Sequence, residues 1–321
     1  MMFYAGGMRI YGTLRHPAAA RAAVPAALLI AGSGPTDRNG NSPEVNGSIG
    51  TLQTLADWLS DDGVASLRYD KLGTGQTGLG PFATKPDAIT PAPFEREAAS
   101  GLSWLAAQPG LDRTRLLVIG HSEGALYALL LATHAVAAPP VAGVGLLEPA
   151  SRRVLDTLDE QLSAKIAAAQ ASGQLTAAQA AQLKTTLAST ITTVRNGGTA
   201  PAGLPPLLAT AFNPATSLFL SDENRLDPAT LASRLPSGTP VLVTCSNADI
   251  QISCADVNHL VGGLNQAHTS TDFVHLDGVD HILKQDPSRT AANYGKPLPF
   301  SPQLHQALAA FLKTHGLGAE G

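Results

Sequence analysis

The chain has 321 residues, 44 % of them hydrophobic, and carries a formal net charge of −4 with no block of Lys or Arg. That length can bury the core of one large α/β domain or two smaller ones, and the charge leaves nothing to neutralise a nucleic-acid backbone, so nucleic acid is not an expected partner. No stretch stays apolar for 18 residues, so no transmembrane segment is expected. The N-terminal "MMFYAGGMRIYGTLRHP" lacks the marks of a secretory leader, which makes a cytoplasmic location the expectation.

In chain order, Met2–Ala5 and Met8–Arg15 read as an antiparallel pair turned at Gly6-Gly7. Short apolar runs then alternate with amphipathic helical stretches, the pattern of strand-helix units wound into a mainly parallel α/β sheet. The runs are Ala26–Ala31, Val64–Tyr69, Arg115–Gly120, Val141–Leu147, Pro240–Thr244 and Asp272–Leu276. Their continuity suits strands covered on both faces. Helices are expected near Ser48–Ser60, Phe94–Gln108, Ser122–Val136, Cys254–Asn265 and Pro302–Thr314.

One segment breaks the rhythm. From Ala150 to Leu235 there is no strand candidate, only two alanine-rich helical stretches, Arg152–Ala171 and Thr176–Val194, and a Pro/Gly-rich link. In the first, Val154, Leu155, Leu158, Leu162 and Ile166 recur at helical spacing and make one apolar face. The expectation is a core of residues 1–149 and 236–321 with a helical cap, 150–235, inserted in it. A plain helical hairpin beside the sheet is the simpler alternative.

The strongest local signal is Gly120-His121-Ser122-Glu123-Gly124, between the run "RLLVIG" and the helical "EGALYALLLATHA". A serine on a sharp strand-to-helix turn needs close glycines and pushes its hydroxyl out above the sheet. Such a hydroxyl needs a base close by and a third group to orient that base. Of nine histidines, His281 follows the last strand in "VHLDGVDHILK", in a loop that can bend back over the sheet's end. His121 lies inside the turn, and His275 is mid-strand. The orienting acid is expected to be Asp249, a few residues past "PVLVT", with Glu148 in "LLEPA" as its rival. Asp256, Asp277 and Asp280 lie nearby, and Asp256 has its own explanation in a helix-capping pattern with Ser253.

Negative charge developing on a substrate carbonyl oxygen needs rigid backbone N–H donors. One is Glu123, directly after Ser122. The other is expected from "GSGPTDRNGNS", at Ser33 or else Gly34. A phosphate cradle is the competing reading of that loop, but it lacks the lysine of GxxxxGK[ST] and the spacing of GxGxxG. "RYDKLGTG" reads either as a charged substrate contact or as a structural network that holds the loops near the site.

On "AGSGPTDRNGNS", "RYDKLGTGQT", "GHSEG", "PVLVTCSNADIQIS" and "GVDHILK", in that order, the chain resembles the α/β-hydrolases of the serine esterase and lipase type along nearly its whole length. The resemblance implies an eight-stranded, mostly parallel sheet and a Ser-Asp-His triad, here Ser122, Asp249 and His281, with a cap after the sixth strand. The "GSGPTDRNGN" version is similar to a bacterial subgroup of capped carboxylesterases. One departure is Ala31-Gly32, where many lipases and esterases have His-Gly.

The expected activity is hydrolysis of a small, uncharged or weakly polar carboxylic ester through an acyl-enzyme, with no metal or organic cofactor. A thioesterase, acyltransferase or peptidase would use the same triad, and a binding protein on this fold would be expected to have lost part of it. The two cysteines, Cys245 and Cys254, bracket the loop that carries Asp249. They are either joined in a disulfide that braces this loop or are two buried thiols. A zinc site is disfavoured, because only His259 is close to them in sequence.

Overall fold

The computed structural model describes residues 1–18 and 23–318. Two compact units are formed: residues 1–80, 93–151 and 228–321 make the first, and residues 81–92 and 152–227 the second. Relative to the sequence expectation, the second unit also takes in the Pro-containing segment 81–92. It gives up 150–151 and 228–235 to the first.

In the first unit the elements run β1 (Met2–Ala5), β2 (Met8–Arg15), β3 (Val24–Ile30), α1 (Thr51–Asp61), β4 (Ala65–Tyr69), α2 (Pro91–Ala106), β5 (Leu111–His121), α3 (Gly124–Ala132) and β6 (Gly143–Leu147). The second unit is inserted here, as α4 (Val154–Ala171), α5 (Ala177–Arg195) and the short α6 (Pro206–Ala209) and α7 (Ser217–Glu223). The first unit resumes with α8 (Pro228–Ala232), β7 (Pro240–Ser246), α9 (Cys254–Gln266), β8 (Ser270–Leu276) and α10 (Pro302–Thr314). Helix α1 starts three residues later than its sequence pattern suggests, because Gly50 takes a left-handed conformation at its N-terminus.

All eight strands form one sheet in the order β1-β2-β4-β3-β5-β6-β7-β8. β2 pairs antiparallel with β1 and β4, and the remaining neighbours are parallel. The strand period of two sends alternate residues of β3 to opposite faces. Ala27 and Leu29 join a core with Leu52, Leu55 and Leu59 of α1 and Leu308, Phe311 and Leu312 of α10. Leu28 points the other way and meets α2 beside Gly101. Helix α3 is apolar on every side, and all nine of its residues are buried.

This topology fixes where chemistry can occur. Chain order reverses at β3, which lies between β4 and β5, so a crevice opens outside the carboxyl ends of β3 and β5.

The second unit has its own core, in which Leu155, Leu162 and Ile166 of α4 pack with Leu187 and Val194 of α5 and with Leu208 and Phe212. Helix α5 begins with a capping box, in which the Thr176 hydroxyl accepts from the Gln179 N–H and the Gln179 side chain accepts from the Thr176 N–H. Among the described residues, no helix is long and apolar enough to cross a membrane.

Candidate active site

β5 ends at His121, and α3 begins at Gly124, leaving two residues to reverse the chain. Ser122 bears the strain of that turn, with φ 54° in the left-handed region. Two glycines make the turn feasible: a Cβ on Gly120 would lie 2.2 Å from the Gly124 carbonyl oxygen, and one on Gly124 would lie 2.3 Å from that of Ile30. The strained residue is held on both sides, because its N–H donates to the Leu147 carbonyl at 3.0 Å and its carbonyl accepts from the Ala150 N–H at 3.1 Å.

His281 follows β8 and is 4 % exposed. Its Nε2 lies 3.0 Å from Ser122 Oγ, and its Nδ1 lies 2.7 Å from Asp249 Oδ2. Asp249 follows β7, and its Oδ1 accepts from the N–H groups of Gln251 and Ile252 at 2.7 and 3.1 Å. Burial pushes its carboxyl upward, but the adjacent His281 and these N–H donors outweigh that and hold it below the usual carboxylate range.

Glu148, the rival acid, is adjacent to Asp249 rather than an alternative route to His281. It is fully buried at the end of β6, with φ 44°. Its carboxyl accepts from Thr244 Oγ1 at 3.3 Å and the Ser246 N–H at 3.1 Å, and it also hydrogen-bonds to the Asp249 side chain. Burial first, and then the Asp249 charge, push Glu148 well above its usual range. Burial beside a second carboxylate thus disfavours the charged form of Glu148.

His121 carries a contact that its place in the turn does not advertise. Its Nε2 lies 2.7 Å from the His281 carbonyl oxygen. An acceptor there requires a proton on Nε2. Burial first, and then His281, lower its pKa to about 4, so it stays neutral.

The other candidate residues lie elsewhere. His305 stacks on Trp58 with ring centroids 4.6 Å apart, and His315 Nε2 lies 3.2 Å from Asp272. Asp256 accepts from the Ser253 hydroxyl at 2.8 Å, while the Asp256 N–H donates to the same hydroxyl, as the capping pattern implies. Asp277 accepts from the Asn247 side chain. Asp280 accepts from the Lys284 N–H, and burial raises its pKa to about 6.

A pocket of about 330 Å³ opens beside Ser122 and His281. Its walls include Ser33 and Gly34 from the loop after β3, and Ile49, Ile282 and Tyr294. Among the described residues, neither the Ser33 nor the Glu123 N–H has an acceptor within the protein. Around the pocket, "RYDKLGTG" forms a network. Arg68 Nε donates to Asn39, Asp70 accepts from the Arg38 N–H and guanidinium, and Lys71 Nζ donates to the Gly32 carbonyl.

Cys245 is the penultimate residue of β7, Cys254 opens α9, and the two are joined in a disulfide with their Cα atoms 5.2 Å apart. His275, the register partner of Cys245 on β8, has a ring nitrogen within 4.8 Å of both sulfurs, a proximity that sequence spacing does not show. Disulfide-bonded sulfurs offer no thiolate to a metal.

No family model matches the chain, and no curated protein matches it in sequence. Solved structures do. Est1E from Butyrivibrio proteoclasticus, in a structure with ferulic acid bound, is 15 % identical with a TM-score of 0.60 over 98 % of each chain. An esterase from Pyrococcus furiosus is 12 % identical with a TM-score of 0.60, over 98 % of this chain and 90 % of that one. The α/β hydrolase GrgF from Penicillium sp. sh18 is 15 % identical with a TM-score of 0.59, over 98 % and 97 %. At such identities the likeness is one of architecture, and together with the strand order it shows that this chain has the α/β-hydrolase fold.

Proposed function

We propose that the chain is a serine hydrolase that cleaves a carboxylic ester. The observation that carries this reading is the unbroken hydrogen-bonded series from Ser122 Oγ through His281 to Asp249, with Ser122 and His281 lining a pocket. Neighbours named as esterases share the fold.

In the proposed mechanism Ser122 Oγ attacks the ester carbonyl while His281 Nε2 takes its proton as general base. Asp249 keeps the other proton on Nδ1 and stabilises the imidazolium that forms. The N–H groups of Ser33 and Glu123 hold the oxyanion. His281 then protonates the leaving alkoxide, and a water, activated by the same histidine, releases the acid from the acyl-enzyme.

The lining suits a small uncharged ester. Ile49, Ile282, Val45 and Leu52 supply apolar contact, and among the described residues Glu44 is the one carboxylate and no Lys or Arg lines the pocket to pair with an anionic substrate. Purified protein should therefore hydrolyse p-nitrophenyl acetate. Turnover of a thioester or an aminoacyl amide in preference to every oxygen ester in a panel would replace the carboxylesterase assignment. Absence of turnover on the whole panel would contradict the hydrolase reading.

A further inference from the structure

Lys71 lies just past β4 and is 8 % exposed. Its Nζ donates to the Gly32 carbonyl oxygen at 2.5 Å, lies 3.6 Å from Glu123 Oε2, and sits 5.8 Å from the centre of the Phe94 ring. It is not among the residues that line the pocket. What makes these partners informative is the atoms that go with them. The Gly32 carbonyl belongs to the same peptide unit as the Ser33 N–H, and Glu123 carries the other candidate oxyanion donor.

We infer that Lys71 is a positioning residue that sets the two oxyanion donors, by clamping the Gly32–Ser33 peptide and by neutralising the Glu123 carboxylate. This rests on the proposed ester hydrolysis.

Three physical steps support it. A trans peptide is planar, with its C=O and N–H pointing in opposite directions, so fixing the Gly32 oxygen also fixes the direction of the Ser33 N–H. That peptide starts against the nucleophile, since a Cβ on Gly32 would lie 3.0 Å from Ser122 Cβ. Next, a cation on a peptide carbonyl polarises the whole unit, and the N–H becomes a stronger donor where water is excluded. Finally, the Glu123 carboxylate is attached to the residue whose N–H meets the developing oxyanion. Unpaired, it would repel that charge through a poorly screened medium.

The surroundings keep Lys71 to this task. Phe94 covers the ammonium on one side. Both Glu97 oxygens accept from the Leu72 N–H at 3.1 Å and hold the turn beside it. Burial raises the Glu97 pKa to about 8, so this neighbour is largely neutral near pH 7 and leaves Glu123 as the charge that Lys71 faces.

The test uses the full-length protein with p-nitrophenyl acetate and a trifluoromethyl ketone, whose serine adduct carries the tetrahedral oxyanion. Wild-type turnover comes first, because its absence on every ester, thioester and amide of the panel overturns both the hydrolase reading and this inference. Given turnover, Lys71→Met should lower kcat about 10- to 100-fold, part of what loss of a whole oxyanion donor costs, with KM changed by no more than about threefold. Inhibition by the ketone should weaken by the same factor as kcat/KM, and Lys71→Arg should recover most of the loss. Should Lys71→Met fail to fold, Lys71→Met/Glu123→Gln leaves no unpaired carboxylate and should still lose about tenfold in kcat. A folded variant with near-wild-type kcat, or one that loses kcat with ketone affinity unchanged, overturns the assignment of Lys71 while leaving the hydrolase reading intact.

Discussion

Glu148 and Asp249 present their carboxyl groups to each other in a buried site, and their affinities for protons are shifted in opposite directions: Glu148 is pushed up and Asp249 is held down. The asymmetry follows from their other partners. Asp249 has His281 and two N–H donors, whereas Glu148 has one hydroxyl and one N–H donor and faces the Asp249 charge. Asp249→Asn should therefore lower kcat about 10³- to 10⁴-fold, because an amide no longer fixes the histidine tautomer. Glu148→Gln places a neutral amide beside Asp249 and should cost about tenfold or less, the scale of one neutral hydrogen bond. Steady-state kinetics on the two variants separates acid from support, and the reverse order would make Glu148 the working carboxylate.

His121 should leave a mark on the pH dependence of stability. Burial holds its folded pKa at about 4, below the ordinary 6.5 of an imidazole. As pH falls from 6.5 toward 4 the unfolded chain takes up a proton that the native chain refuses, so this group's contribution to stability is lost across that window. That depression corresponds to roughly 3 kcal/mol. Urea unfolding of His121→Gln should show that loss removed between pH 6.5 and 4. Equal slopes for the variant and wild type would mean that His121 is not held neutral.

The elbow tolerates no side chain at Gly124. The nearest atom to a new Cβ is a backbone oxygen of β3, which cannot swing aside. Gly124→Ala should destabilise the protein by about 1–3 kcal/mol and displace Ser122 from His281, lowering kcat more than KM. Thermal unfolding together with kinetics checks both effects.

The disulfide closes a loop with nine residues' separation around Asp249. Chain-entropy arguments put its stabilising contribution at about 2–3 kcal/mol. Thiol titration under denaturing, non-reducing conditions should find no free thiol. Cys245→Ser/Cys254→Ser should lose that stability and lose activity only modestly, because the N–H groups of Gln251 and Ile252 still hold the carboxylate. Two titratable thiols would remove the brace from the account.

What could be read in advance had local signals. The apolar runs marked β3 to β8, and Ser122, Asp249 and His281 each follow a strand, so their positions could be inferred before their contacts were known. Relationships made across long sequence separations left no such trace. Lys71 reaches a carbonyl 39 residues away, and Glu148 meets an N–H 98 residues away. Both residues stand in legible segments, one within "RYDKLGTG" and the other as a rival acid in "LLEPA", but their partners are set by strand order. Helices of four to seven residues, such as α6, α7 and α8, are too short to show a period, and residues 81–92 join the second unit through packing alone. The cysteines had the right spacing for a bridge, but sequence carries no record of oxidation state.

In the proposed mechanism everything depends on Ser122 as the nucleophile. Incubation with an organophosphonate, followed by peptide mass spectrometry, tests it most directly. One adduct per chain is expected, located on Ser122, with parallel loss of esterase activity and no adduct in Ser122→Ala. Undiminished labelling of Ser122→Ala, or esterase turnover that survives the substitution, would contradict it.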